Sequence, residues 1–255
     1  MSLKQRFLSK DKLIGSWLTM YHPSIADIMA TSGFDWITID MEHSSISTNE
    51  AQILLSIMQN QSCPCLIRVA KNDEVLIKKA MDIGADGVIV PNIKNAVDAK
   101  QAINHMKYPP TGTRGVGLYR AQKYGYGFEE YKNWLENKST LILQIEHIDA
   151  VNNIEEILLI DGIDAYIIGP YDLSASMGKP GKFDDSDVIE AISKVKKACL
   201  KHNKSLGFHE VSSNPDNLIK KFKEGFDYAA FSLDFFFLAD MARDGIKKIR
   251  GSLNV

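Results

Sequence analysis

Two carboxylates stand where apolar, strand-like runs stop. Glu146 ends the phrase Gln144-Ile145-Glu146, after Leu141-Ile142-Leu143. Asp172 ends Gly169-Pro170-Tyr171-Asp172, after Ala165-Tyr166-Ile167-Ile168. Acid oxygens of this kind suit a hard divalent cation such as Mg²⁺ or Mn²⁺. Taken singly, each is equally well a cap on the helix that follows, because acids are common at helix starts. Paired at equivalent points of adjacent strand–helix units, they favour a site.

Other polar residues fall at similar points. Asp40-Met41-Glu42-His43 follows a second apolar run. His43 is a candidate general base, since an imidazole titrates near neutrality and a neighbouring carboxylate fixes its tautomer. Arg68 interrupts Leu66-Ile67-Arg68-Val69. An arginine in a strand suits a planar carboxylate, held by two hydrogen bonds. The alternative is a buried salt bridge to Asp40 or to Asp82, which precedes the fourth strand. Other chemistries lack their residues. There is no phosphate loop, no nucleophile elbow and no lysine in a proposed strand for Schiff-base formation. His105, His147, His202 and His209 show no metal-ligand spacing.

These residues need a scaffold that gathers strand ends. Eight short apolar runs alternate with amphipathic stretches: Ile14–Leu18, Trp36–Ile39, Leu66–Val69, Gly87–Val90, Leu141–Ile145, Ala165–Ile168, Ser205–Phe208 and Tyr228–Phe231. Gly33, Gly84, Gly162 and Gly225 stand where helices should stop. Eight such units in 255 residues predict one (β/α)₈ barrel domain over residues 1–255, with the carboxylates on its active face. A doubly wound sheet is the runner-up, but Thr19-Met20-Tyr21-His22-Pro23 after the first strand lacks its glycines. One connection, Lys107 to Ser139, is long enough to predict a lid or a subunit contact.

Composition narrows the classes. The chain is 45% hydrophobic and 24% charged, as in ordinary globular proteins. A net charge of −2 gives no footprint for nucleic acid. No apolar stretch approaches the roughly 20 residues that span a bilayer. The polar start, Met1 to Lys12, has no signal-type core, so a cytoplasmic location is expected. Cys63, Cys65 and Cys199 fit a reducing compartment, with Cys63-Pro64-Cys65 read as buried structural thiols.

The motifs together resemble the HpcH/HpaI aldolase family, metal-dependent class II aldolases acting on 2-keto acids. The resemblance runs from about Gly15 to Ala242. It is carried by Gly33-Phe34-Asp35-Trp36, Ile39-Asp40-Met41-Glu42-His43, Tyr108-Pro109-Pro110, Gly112, Arg114-Gly115-Val116-Gly117, Arg120-Ala121, Gln144-Ile145-Glu146 and Gly169 to Gly178. It implies that Glu146 and Asp172 ligate Mg²⁺ or Mn²⁺, with Co²⁺ an alternative. Arg68 would bind the keto acid and stabilise its enolate. His43 would be the acid/base, acting through a water on the metal, with Asp40 and Asp82 in support, in a network that crosses subunits. Gln144 would support the metal shell. The resemblance further implies a homo-oligomer, a hexamer or trimer of dimers, with Leu233 to Ile249 exchanged and Phe235-Phe236-Phe237-Leu238 at the interface. Tyr171 stands where many members carry a small residue whose backbone N–H helps bind the enolate, and it puts the aldehyde partner in doubt. The implied reaction is reversible cleavage of a 4-hydroxy-2-keto acid to pyruvate and an aldehyde. Related enolate chemistries are oxaloacetate decarboxylation and acyl-CoA lysis, though no basic groove for CoA is evident. A barrel kept only as a binding module is the non-catalytic reading.

Overall fold

Strands that are apolar on both faces need cover on both sides, which a closed barrel ringed by helices provides. The computed structural model describes residues 1–253. It contains all eight expected strands: β1 Leu13–Leu18, β2 Trp36–Asp40, β3 Cys65–Arg68, β4 Gly87–Val90, β5 Thr140–Ile145, β6 Ala165–Ile168, β7 Leu206–Glu210 and β8 Tyr228–Leu233. Each pairs in parallel with the next, and β8 returns to β1 to close the ring. The (β/α)₈ fold is therefore the one the sequence predicts. Gly33, Gly84, Gly162 and Gly225 all have positive φ, the backbone state that stops a helix.

Alternation along the strands separates two cores. Ile37, Ile39, Ile67, Val88, Val90, Leu141 and Leu143 face outward and pack under the helices with Leu54, Leu55, Met58, Ile77 and Met81. Trp17, Trp36, Leu66, Ile89, Ile142, Ile167 and Tyr228 fill the lumen. Large rings fit there because two neighbours are glycines. A Cβ at Gly15 would come within 2.1 Å of the Trp36 ring, and one at Gly207 within 2.3 Å of the Tyr228 ring. Cys63, Cys65 and Cys199 are buried and unpaired, as expected. Burial pushes the Cys63 thiol up to about 11, which keeps it inert.

The N-terminal end of the barrel is plugged. Met1 to Lys12, read from sequence only as a polar start, carries the helix Leu3–Leu8. Ser2 and Gln5 form a reciprocal capping box that fixes its start. Leu3 and Phe7 join the lumen core, and the Phe7 ring meets Trp36 and Tyr228 edge-on at 5.3 and 4.7 Å.

The long connection also lies at this end. It folds into the 3-10 segment Arg120–Gly125 and the helix Phe128–Asn137. Arg120 donates to the Ile83 carbonyl at 2.7 Å, and the Tyr131 hydroxyl donates to the Met81 carbonyl at 3.3 Å. Both partners terminate the helix that runs back from β3. The connection therefore cannot cover the mouth of its own barrel: a helix-to-strand connection emerges at the N-terminal end of the strands, opposite the mouth.

At the mouth, Asp234 accepts from Thr19 N at 2.8 Å, Thr19 Oγ1 at 2.7 Å and Met20 N at 2.8 Å, tying the end of β8 to that of β1. The C-terminal helix Asp234–Leu253 then leaves the barrel. Phe237 packs on Phe34 and Phe231 of its own barrel, at 6.2 and 5.3 Å. The exposed apolar residues of this helix are Phe235, Leu238, Met241, Ile246, Ile249 and Leu253. The uncovered apolar face thus includes Phe235 and Leu238 of the Phe235–Leu238 run and extends further along the helix.

Lys107 anchors the long connection from within. Its ammonium donates to the carbonyls of Leu135 and Glu136 and to Ser139 Oγ, at 3.0 Å for the last. Burial, with some repulsion from Lys4, pushes it down to about 8. Between pH 8 and about 10.5 the folded chain sheds a proton that the unfolded chain keeps, so folding stability rises with pH in that window. The expected difference from Lys107→Met is on the order of 2–3 kcal/mol between pH 7 and pH 10.5, read by urea denaturation of both proteins. A pH-independent difference would show that the lysine is not buried as a cation.

Candidate active site

The charged residues on the inward face of the strands lie near the C-terminal ends. Asp40 and Arg68 are register partners on β2 and β3, so their side chains leave the sheet side by side. Arg68 Nε donates to Asp40 Oδ1 at 2.9 Å and Nη2 to Oδ2 at 2.5 Å, a bidentate pair. The guanidinium also stacks on the Trp17 ring at 4.4 Å. Burial opposes ionisation of Asp40. The Arg68 hydrogen bonds and charge, with the N–H groups of Glu42 and His43, outweigh it and hold the carboxyl below its usual range. Of the two alternatives for Arg68, the salt bridge to Asp40 forms, and it does so at the mouth, where an arginine can also face a ligand.

Three more acids surround this pair. Glu42 Oε2 lies 3.4 Å from Arg68 Nε and 3.8 Å from His43 Nε2. Glu146 Oε1 accepts from Asn92 N at 2.7 Å, and its Oε2 accepts from Gln144 Nε2. Gly169 makes room for that contact, since a Cβ there would come within 2.8 Å of both atoms. The helix Pro170–Ser176 then begins, with Asp172 in its exposed first turn. Burial raises Glu146 most, the Asn92 N–H works against it, and the charges of Glu42 and Asp172 add, leaving it at about 7. Glu42 also stands at about 7, raised by burial first and by Asp40 and Asp172, against the pull of Arg68. The mouth thus holds more negative charge than Arg68 balances.

That surplus fits a divalent cation, and so do the unpaired atoms. Glu42 Oε2, Gln144 Oε1, Trp17 Nε1 and His209 Nε2 are buried without hydrogen-bond partners. Leaving such atoms unpaired costs roughly 1–3 kcal/mol each, so their clustering marks a place built for a ligand. Among the described residues no three His, Cys, Asp or Glu side chains form a metal cage. The acids suited to a metal are Glu146 and Asp172, with Glu42 close by. A cation held by so few side chains keeps coordination sites for oxygen donors of a small molecule.

The predicted residues divide into two groups. Asp40, Arg68, Gln144, Glu146, Tyr171 and Asp172 all gather at the mouth. His43 is there too, but its ring is exposed at the rim, and Asp40 is committed to Arg68 rather than to the imidazole. Asp82 is elsewhere. It ends the helix Glu74–Asp82, which runs back from the mouth, and a Cβ on Gly117 of the long connection would lie 3.2 Å from its Oδ2. Within one chain it cannot orient His43. Trp17 escaped the sequence reading; Glu42 was placed among the polar residues after the second strand without a role, and His209 was considered only for metal-ligand spacing. The period of two offered the signal, because Glu42 follows Asp40 by two and His209 follows the lumen-facing Gly207 by two.

Fold and site together define a (β/α)₈ barrel with its polar, acid-rich site at the C-terminal mouth of the strands. Residues 13–240 match the HpcH/HpaI aldolase/citrate lyase family, and the chain belongs to it. It is 34% identical over 239 residues to a 2-dehydro-3,6-dideoxy-6-sulfogluconate aldolase of Pseudomonas putida, covering 93% of this chain and 92% of that one. Identity to a 4-hydroxy-2-oxovalerate aldolase of Novosphingobium aromaticivorans is also 34%, over 240 residues, 93% of this chain and 90% of the other. A solved HpcH/HpaI aldolase/citrate lyase family protein from Burkholderia cenocepacia J2315 superposes with a TM-score of 0.91 at 28% identity, over 97% and 98% of the two chains. The protein is a carbon–carbon lyase of the aldolase kind.

The Asp40–Arg68 pair supplies a test of this geometry. Asp40→Asn removes the bidentate partner of a buried guanidinium, leaving Glu42 at 3.4 Å as its nearest acid, and should cost about 3 kcal/mol in urea denaturation. Asp40→Leu combined with Arg68→Met should recover most of that stability while abolishing activity. Equal losses in the single and double variants would mean the ion pair is not the feature that matters.

Proposed function

We propose that the protein is a divalent-metal-dependent aldolase that reversibly cleaves a 4-hydroxy-2-keto acid to pyruvate and an aldehyde. The carrying observation is the buried Arg68, paired with Asp40 and 3.4 Å from Glu42, at a barrel mouth that also carries Glu146 and Asp172. An arginine and a cation-seeking acid cluster at one point suit a substrate with a carboxylate next to a carbonyl.

Glu146 and Asp172 are the residues to hold Mg²⁺ or Mn²⁺, with Co²⁺ also acceptable to oxygen ligands. The bound cation supplies Lewis-acid polarisation of the 2-keto group. Gln144, already donating to Glu146, keeps that ligand oriented. Asp40 occupies one edge of the Arg68 guanidinium, and its remaining N–H groups can meet the substrate carboxylate and the developing enolate oxygen. His43, at the rim, removes the proton from the C4 hydroxyl. The C3–C4 bond then breaks, its electron pair passes into the enolate, and the aldehyde leaves. Protonation at C3 releases pyruvate. The backbone N–H of Tyr171 faces the enolate in this reading, and its exposed ring, edge-on to Phe183 at 4.7 Å, borders the aldehyde half.

A homo-oligomer completes the reading. Asp82 Oδ1 is buried without a partner, and the projecting C-terminal helix carries an uncovered apolar face. A neighbouring chain would let its Asp82 support His43, whose ring has the Glu42 carboxylate 3.8 Å away in its own chain. No helix among the described residues is long and apolar enough to cross a membrane. The buried free thiols accord with a cytoplasmic location.

Pyruvate release, coupled to lactate dehydrogenase, tests the proposal on a panel of 4-hydroxy-2-keto acids after chelation and re-addition of Mg²⁺, Mn²⁺ or Co²⁺. Turnover should need the metal, and Glu146→Gln or Asp172→Asn should lower kcat/KM by about 10²–10³-fold. Calorimetric Mn²⁺ binding should disappear in the double variant. Full turnover in the chelated protein would overturn the metal assignment, and no pyruvate from any acid would overturn the reaction.

A further inference from the structure

We infer that His209 is a specificity-determining residue of this site, selecting substrates with a hydroxyl group next to the carbon–carbon bond that is made or broken. The inference rests on the aldolase reading above and extends it to the part of the substrate that Arg68 and the metal ligands do not reach.

His209 lies on the lumen side of β7, in register with Ala230 of β8. Its ring is 5.0 Å from that of Trp17, and Trp17 carries the Arg68 guanidinium at 4.4 Å. One aromatic ring therefore separates the histidine from the arginine. His209 also lines a cleft of about 480 Å³, with Tyr171, Phe183, Ser212, Asn217 and Lys220. Pro170 and Tyr171 also line it, so the cleft borders the first turn of the helix that carries Asp172. A volume of this size exceeds what three carbons of a keto acid occupy and leaves room for the other half of an aldol.

The chemistry of the ring narrows what it can recognise. Burial, aided by the charge of Arg68, pushes the imidazole down to about 3. It is neutral at physiological pH, with one N–H donor and one bare nitrogen acceptor. A neutral ring is no counter-ion for a carboxylate or phosphate. Its Nε2 has no partner within the chain. An apolar substrate chain leaves the polar edge of the ring unsatisfied. A hydroxyl, donor and acceptor at once, satisfies either tautomer. Sites built to bond a hydroxyl discriminate strongly against the analogue that lacks it, because their own polar group is then stranded.

The hydroxyl can belong to the aldehyde or to C3 of the keto acid, and two substrate ratios separate these sources. The first compares kcat/KM for glyceraldehyde and propanal, each condensed with pyruvate. The second compares hydroxypyruvate and pyruvate, each condensed with the same aldehyde. Intrinsic reactivities cancel when the ratio in His209→Leu is divided into that of the wild type. At least one ratio should fall by about 10–100-fold in His209→Leu, and His209→Asn, a neutral polar side chain, should restore part of it. A change in the first ratio assigns the hydroxyl to the aldehyde, and a change in the second assigns it to the keto acid. Two unchanged ratios would overturn the inference and leave the aldolase reading standing. Exchange of the pyruvate methyl protons into D₂O by the wild-type protein distinguishes the two failures. Without that exchange no enolate forms, and both readings fall.

Discussion

Arg68 can lie inside the barrel only because Asp40 lies beside it. The pair is set by backbone register, since β2 and β3 align these two residues directly. An isolated guanidinium in the lumen would be prohibitively costly to desolvate, whereas a bidentate pair stacked on Trp17 satisfies charge and geometry together. Everything else at the mouth is arranged around this fixed cation. Glu42 and Glu146 feel its attraction, and His209 stays neutral partly because of its repulsion.

The same pair leaves the mouth with acids that have no cation of their own. Asp40 neutralises Arg68, so Glu42, Glu146 and Asp172 remain as surplus negative charge. Two of them stand near 7, against an ordinary carboxylate range near 4. A structure selected only for stability would replace such acids. Their placement just beyond the ends of β2, β5 and β6 makes sense if a cation and an anionic substrate share the load. The rigid barrel holds these groups apart, while the plug of Leu3 and Phe7 keeps the opposite end closed.

The fold was highly legible in the sequence. The alternation of apolar runs and glycine stops marked eight strands, and the strand-end positions of Glu146 and Asp172 marked a mouth. Arg68 stood out because a charge inside an apolar strand needs a reason. The N-terminal helix escaped notice because six residues give little periodicity, and its burial comes from inserting Phe7 against Trp36 and Tyr228, far apart in the chain. The long connection suggested a lid by its length alone, yet direction decides that question for its own barrel: connections that enter strands lie away from the mouth.

By itself the sequence determined the barrel and the identity of most of the polar residues at its mouth, because strand period and strand-end position are local properties. Only the tertiary structure decided which of those residues meet. It joined Asp40 to Arg68 instead of His43, carried Asp82 to the far end of the chain's own barrel, and brought Trp17, Glu42 and His209 into the site. The reason is physical: register across neighbouring strands, and the return direction of each helix, are set by closing the ring, and ring closure is not encoded in any single segment.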